Sequence, residues 1–226
     1  MPRAKRSSRV RDKWREKKWK LVEAPSAFGS TLIAQIPISD DEGALGRVIE
    51  TTLYDLVKQD PQQYSIKLYF QISKIVGDRV QTILKGYEYS REYLRSLIRR
   101  GSSMVDMVED FETKDKVKIR VYLVAISTNR LNASKKHKIR EIAIEILIQK
   151  SKNLTYYQLA QEAVLGKVAS DIYNVAKKIV QIRHIGIRKM KILGVPENLE
   201  ESAAGDKSIQ AESAAGDKSI QAESAE

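Results

Sequence analysis

The chain has 226 residues, no cysteine and a formal net charge of +11. Without thiols it cannot form disulfides or thiolate zinc and iron–sulfur centres, and no apolar run approaches the roughly eighteen residues that cross a bilayer. Its basic start lacks a following apolar stretch, which excludes a secretory signal and makes the cytoplasm the expected compartment, with no membrane partner.

The charge is unevenly spread. Residues 1–20 hold ten Lys or Arg, two Trp and two acids, a net charge of +8. So dense a basic arm cannot bury a core. It can neutralise phosphates and release their counterions, the main source of affinity for nucleic acid. Arg11, Lys13, Arg15, Lys17 and Lys18 are the candidate cations, and the Trp14 and Trp19 indoles can stack on bases or pack where the arm docks. The plainer readings are a solvated tail or a membrane-surface tether.

After the arm, residues 28–36 read as a short strand and Pro37–Gly43 as a turn. Residues 47–56 are β-branched and aromatic, the composition of a strand. From Ser65 to Val76 the apolar Ile66, Leu68, Phe70 and Ile72 alternate with Lys67, Tyr69, Gln71 and Ser73, a half-buried strand. Gly77-Asp78 then gives a two-residue turn into a partner strand, so 65–85 is expected to be a hairpin.

Ser90 is a candidate N-cap and Gly101 a candidate stop for a helix between them. Residues 102–111 and 117–125 read as two further strands, joined by a turn at Thr113–Lys116. At 134 the period changes. Ser134 is the expected cap of a helix with the stripe Ile139, Ile142, Ala143, Ile146 and Leu147. Lys135, Lys136, Lys138 and Arg140 crowd its start, where cations are unfavourable by a few tenths to ~1 kcal/mol, so an anion is expected nearby. Thr155 and Gln158 form a capping-box signal for a second helix to about Val164. Residues 167–180 read as a third helix and 182–193 as a final strand.

The pattern is α+β: a mostly antiparallel curled sheet or β-barrel core with flanking helices. It divides the chain into a basic arm (1–20), a barrel-like domain (21–196) and an acidic tail (197–226). The tail carries eight acids against two lysines, a net charge of −6, and its residues 201–211 recur unchanged at 212–222. Two polar copies are too few for a solenoid, and the tail reads as disordered.

Catalytic signals are thin. His137 and His184 have no carboxylate nearby in sequence to orient them. Asp106, Glu109 and Asp110 are the one acid cluster that could hold Mg²⁺, and its plainer reading is a solvated strand end. No phosphate-binding loop, dinucleotide fingerprint or nucleophile elbow is present, so no enzyme activity, cofactor or metal is expected.

Signals for phosphate binding accumulate instead, in four segments. The arm is one. The second is Arg95, Arg99 and Arg100 followed by Ser102 and Ser103, guanidinium forks and hydroxyls beside a glycine. The third is Arg130 with Lys135, Lys136, His137, Lys138 and Arg140. The fourth is Arg183 and His184 with Arg188 and Lys189. Their dispersal points to several backbone segments of a large folded RNA.

Asp12–Trp19, Ala24-Pro25, Phe28-Gly29, Gly46–Leu56, Tyr93–Ser103 and Thr113–Asp115 together resemble the archaeal and eukaryotic small-ribosomal-subunit protein family called eS-one, or S-three-A-e. The likeness covers roughly residues 10–195, and the length looks archaeal. It implies a non-enzymatic structural part of the small subunit, with a β-barrel-like core on the platform near the messenger exit. It also implies contact with small-subunit ribosomal RNA, with neighbouring ribosomal proteins and with messenger RNA near the exit. No role transfers to residues 197–226. The competing readings are a free RNA-binding regulator and a metal-dependent RNA-processing enzyme using the three acids.

Overall fold

A computed structural model describes residues 14–58 and 60–194. Arg11, Lys13 and the acidic tail lie outside the described residues. Among the described residues, eight strands, six α-helices and two 3₁₀ turns form an α+β unit.

The first strand, β1 (Lys18–Glu23), begins inside the basic arm. Lys20 is its surprise: it is buried, and its ammonium donates to Asp41 at the start of α1 (Asp41–Ala44). Between them, a short 3₁₀ turn at Ser26–Phe28 leads into β2 (Leu32–Ile38), which pairs antiparallel with β1. The strand thus starts later than expected and runs through Pro37. Pro is tolerated there because β2 is an edge strand.

The expected strand over 47–56 divides. β3 (Val48–Thr52) gives way to α2 (Leu53–Val57). The cause is a capping box. Thr52 Oγ1 accepts from the Asp55 amide at 3.3 Å, and Asp55 accepts from the Thr52 amide at 3.1 Å and its hydroxyl at 2.7 Å. The Thr52 hydroxyl holds the Asp55 carboxyl below its usual value, outweighing partial desolvation. A depressed carboxyl stabilises the fold fully above about pH 4 and loses that contribution as the pH falls through the folded value. Thr52→Ala should therefore cost about 1 kcal/mol at neutral pH. In urea titrations the gap between the unsubstituted protein and Asp55→Asn should narrow on acidification; a gap independent of pH would refute the capping role.

The expected hairpin forms as β4 (Ile66–Val76) and β5 (Arg79–Tyr89), turning at Gly77-Asp78. α3 (Arg91–Leu97) is capped by Ser90, whose Oγ accepts from the Tyr93 amide, but it ends before Gly101. β6 (Met104–Glu112) and β7 (Lys118–Ser127) pair antiparallel. The long helix α4 (Ala133–Asn153) starts two residues before Ser134 would place it, with Asn132 at the N-cap. α5 (Tyr156–Val164) has the expected Thr155–Gln158 box. α6 (Lys167–Ala176) is shorter than expected, and β8 (Ile182–Ile192) closes the described fold.

The sheet is mostly antiparallel, as expected, with one parallel pairing between β1 and β5, and it corrects the barrel alternative: it does not close. β5 is its junction. β4 lies along one side of it. On the other side the first residues of β5 pair parallel with β1 (Val80 with Val22), and its last residues pair antiparallel with β8 (Gly86 with Lys191). Two branches therefore leave one strand, β1–β2 and β8–β7–β6. β2, β3 and β6 remain free edges among the described residues. Gly86 makes the junction possible. A Cβ there would lie 2.1 Å from the Met190 carbonyl oxygen and 2.9 Å from Lys191 Cα.

Two cores follow from the two branches. The large one joins the inner faces of β4–β8 to Ile139, Ala143 and Leu147 of α4, most of α5, and Val168, Ile172 and Ala176 of α6. The small one consists of Val22, Ile38, Ala44, Ile72 and Val80 beneath β1 and β2. Lys150 clasps the three C-terminal helices, donating to Glu162 and to Asp171, each at 2.7 Å. Burial opposes its charge, but the two carboxylates outweigh it and hold the ammonium above its usual value.

Candidate nucleic-acid interface

Three of the four basic segments meet at one end of the sheet, and a small hydroxyl network brings them there. Ser103 is buried. Its amide donates to Ser127 Oγ at 3.1 Å, its carbonyl accepts from the Ser127 amide at 3.0 Å, and its hydroxyl accepts from the Leu131 amide at 3.0 Å. That stitches the α3–β6 connection, which carries Arg99 and Arg100, to the β7–α4 connection, which carries Arg130. The Thr128 amide donates to the Gln181 carbonyl at 3.2 Å, and Ser127 pairs with Ile182, bringing in the start of β8 with Arg183. Arg95 sits in the last turn of α3, whose Tyr93 ring meets His184 edge-on, centroids 5.9 Å apart.

The chemistry of this end is one-sided. Arg95, Arg99, Arg100, Arg130, Lys135, Lys138 and Arg183 are exposed. None is ion-paired with a described residue. α4 has no acid in its first turn, and the Asn132 side chain caps none of its amides. Cations and open amide donors together favour an incoming anion. Lys136 is half-buried, and His137 corrects the expectation that it lacks an orienting carboxylate: one helical turn on, Glu141 Oε1 lies 3.1 Å from its Nε2. Arg140 reaches the free edge of β6, its Nε donating to the Asp106 carbonyl at 3.0 Å.

Two expected contacts are used internally instead. The Ser103 hydroxyl is spent on the network above. Ser102 Oγ donates to the Arg99 carbonyl at 2.5 Å, shaping the loop. His184 is the other departure. Burial pulls its imidazole below the usual value, so at neutral pH it carries no charge for a phosphate. Its ring instead packs against Tyr93 and Tyr89.

The rest of the fourth segment, Arg188 and Lys189, lies on the outer face of the sheet, where Lys189 meets a carboxylate. The registers of β3–β4, β4–β5, β5–β8, β8–β7 and β7–β6 line up Glu50, Lys67, Glu88, Lys189, Arg120 and Asp110 on that face. They pair with one another. Lys67 meets Glu50 at 2.7 Å, and Lys189 meets Glu88 at 2.5 Å. Arg120 grips both oxygens of Asp110, at 2.6 and 2.8 Å. Glu88 also accepts from Tyr69 at 2.7 Å. Partial burial opposes its charge, but Lys189 and Tyr69 prevail and hold it below its usual value. Lys189 is thus largely neutralised. Arg188 falls at the irregularity between Tyr122 and Leu123, is skipped by the pairing and stays exposed. With Asp110 bound to Arg120 and Glu109 alternating to the opposite side of β6 from Asp106, the three acids do not converge on a metal site.

The arm lies elsewhere. Trp14 and Trp19 are 59 % and 61 % exposed, and Lys17 Nζ stands 4.3 Å from the centroid of Trp14. Arg15 and Lys18 are exposed beside them. Lys17 lines a shallow depression with Pro37, Arg47 and Val48. Arg47 is a cation that sequence reasoning missed. It becomes part of this surface only through the pairing of β1, β2 and β3 with their neighbours.

The sequence matches a family described as the Ribosomal S3Ae family over residues 5–196. A protein of Desulfurococcus amylolyticus is 43 % identical over 187 residues, covering 83 % of this chain and 87 % of the relative. One of Saccharolobus islandicus is 43 % identical over 190 residues, 84 % and 91 % of the two chains. One of Sulfolobus acidocaldarius is 42 % identical over 195 residues, 86 % and 98 %. All three carry the name small ribosomal subunit protein eS1.

Proposed function

Since the chain belongs to the ribosomal S3Ae family, a family of structural proteins and not of enzymes, we propose that it sits on the platform of the small subunit near the messenger exit and binds ribosomal RNA there with its basic end and arm. As a ribosomal component it works in the cytoplasm, with ribosomal RNA and other ribosomal proteins as partners. Messenger RNA passing the exit would be a further contact.

The observation that carries the RNA contact is the split between paired and unpaired cations. On the outer sheet face Lys67, Lys189 and Arg120 have carboxylate partners. At the α3–β6, β7–α4 and β8 end the guanidinium and ammonium groups have none among the described residues. Cations held together without local partners are poised to exchange counterions for phosphates. The start of α4 adds amide donors, and Trp14 and Trp19 add stacking surfaces for unpaired bases. Contacts at separate places suit a folded RNA whose segments converge on one protein.

Sedimentation of cell extract through sucrose gradients tests this. Stoichiometric co-migration with small subunits that survives high salt is the expected result. Migration at the top of the gradient would overturn it.

A further inference from the structure

Two tyrosines that take no part in the contacts above stand at the basic end of the sheet. Tyr54 lies in α2 and Tyr64 in a second 3₁₀ turn, Pro61–Ser65. Their rings stack, centroids 4.2 Å apart and planes 25° from parallel. Tyr54 is half-buried, whereas Tyr64 is 54 % exposed. With one face against Tyr54, the Tyr64 ring keeps its other face open. We propose that this open face is a stacking site for an unpaired nucleobase of the RNA held by the neighbouring cations. The inference rests on the reading of that end as the RNA-binding surface.

Placement is the first support. Thr52 pairs with Lys67 and Ile66 with Tyr89, so β3 ends, β4 starts and β5 ends on one side of the sheet. β5 runs antiparallel to β8, so its last residues point toward the start of β8 and Arg183. The Ser90 amide donates to the Ser65 carbonyl at 2.7 Å. Ser65 follows Tyr64, and Ser90 caps α3. Arg91 opens that helix, exposed and without an ion-pair partner among the described residues. Arg95 follows about one turn later. One hydrogen bond and less than two turns of helix thus connect the ring to the nearest cations.

Preorganisation is the second. The Thr52–Asp55 capping box fixes the start of α2, and Leu53 anchors it in the large core. Lys58, in the left-handed conformation, ends it, its amide donating to the Tyr54 carbonyl at 2.8 Å. Pro61 sets the backbone at the first residue of the 3₁₀ turn. A ring fixed in this way loses little freedom when a ligand stacks on it.

Charge is the third. Along the chain around the pair, Lys58 is outnumbered by Asp55 and Asp60, and all three are exposed. The site therefore offers a π-face without excess positive charge, which suits a base rather than a phosphate. Arg91, Arg95 and Arg99 supply the phosphate contacts beside it. Every base has a π-face, so the site accepts any unpaired base, and the purines stack best.

Proton NMR on the full chain tests this. An oligoadenylate of about ten nucleotides should move the Tyr64 ring signals upfield. A fully paired RNA duplex of equal length should not, because its bases are already stacked. Equal shifts with both would overturn the base site. Shifts with an arginine-rich peptide and none with oligoadenylate would also overturn it, and would give the face to a protein. Against small-subunit ribosomal RNA, Tyr64→Ala and Tyr64→Leu should each weaken binding about tenfold. The slope of log affinity against log salt should stay unchanged, since no phosphate contact is lost. Tyr64→Phe, which keeps the ring, should restore the affinity. Unaltered affinity in both variants, with the Arg95, Arg99 and Arg100 replacements still weakening it, would overturn the stacking site and leave the RNA reading intact. No RNA binding by the unsubstituted protein would overturn the reading itself.

Discussion

Gly86→Ala should cost about 3 kcal/mol or more, or leave the protein unfolded. Gly86 lies where β5 passes from one neighbour to the next, opposite Tyr69 on one side and Lys191 on the other. The added methyl would meet the Met190 carbonyl oxygen at 2.1 Å, and that atom belongs to the backbone of β8. Relief requires β8 to move away, which opens the β5–β8 pairing and the core around Met190 and Ile192. Gly186 offers the comparison. A Cβ there meets the Tyr89 ring at 2.8 Å and His184 Nε2 at 3.0 Å, both in side chains. Rotation of Tyr89 relieves much of that clash, so Gly186→Ala should cost only about 1–2 kcal/mol. Urea midpoints of the two variants give the comparison. Equal costs would show that the β5–β8 approach tolerates a methyl group at Gly86.

Replacing Arg95, Arg99 and Arg100 together with Ala should weaken binding to small-subunit ribosomal RNA roughly ten- to a hundredfold near physiological salt. The slope of log affinity against log salt should fall by about 2–3, since each phosphate contact contributes roughly 0.9. All three side chains are exposed, so the thermal midpoint should hardly move and incorporation into subunits should suffer without loss of fold. The informative control is Arg120→Ala with Lys189→Ala. Those cations are held by Asp110 and Glu88, so the pair should lower stability slightly and leave the salt slope nearly unchanged. In the arm, Lys13→Ala, Lys17→Ala and Lys18→Ala should again reduce the slope. If the control variant changed the slope as much as the arginine triple, the division between paired and unpaired cations would have no bearing on RNA binding.

How much of this was legible depended on whether the determinant was local. The β4–β5 hairpin was readable because alternation and a Gly-Asp turn lie within twenty-odd contiguous residues. α5 was readable because Thr155 and Gln158 reach only each other's backbone. The same kind of signal, Thr52 three residues before Asp55, was present after β3, but the β-branched and aromatic run around it masked the start of α2. β1 was hidden by its charge. Lys20 reads as an arm cation, and only its pairing with Asp41 shows why it is buried. The open, mixed sheet was beyond local pattern, because it depends on three residues of β1 lying parallel to β5 while β8 takes the other end of that strand.

The interface divides in the same way. Nearly every cation was visible as a residue type. Which of them meet was not, because that rests on Ser103 and Ser127 bonding across 24 positions of chain. Which are neutralised rests on the register of strands that lie far apart in sequence. His184 looked like a basic-strand cation and is a neutral packing residue because Tyr89 and Tyr93 enclose it.

The unequal cores have a consequence for the order in which the molecule comes apart and together. A small core of five side chains, a three-residue parallel seam and the bonds of Arg79 and Thr82 to Glu23 hold β1 and β2 to the rest, whereas β4–β8 and the helices share the large interior. Partial opening of low free energy therefore belongs to the strand pair that carries the arm, while the basic end stays built. During synthesis the chain's first strands emerge early and can pair only with each other until β5 follows.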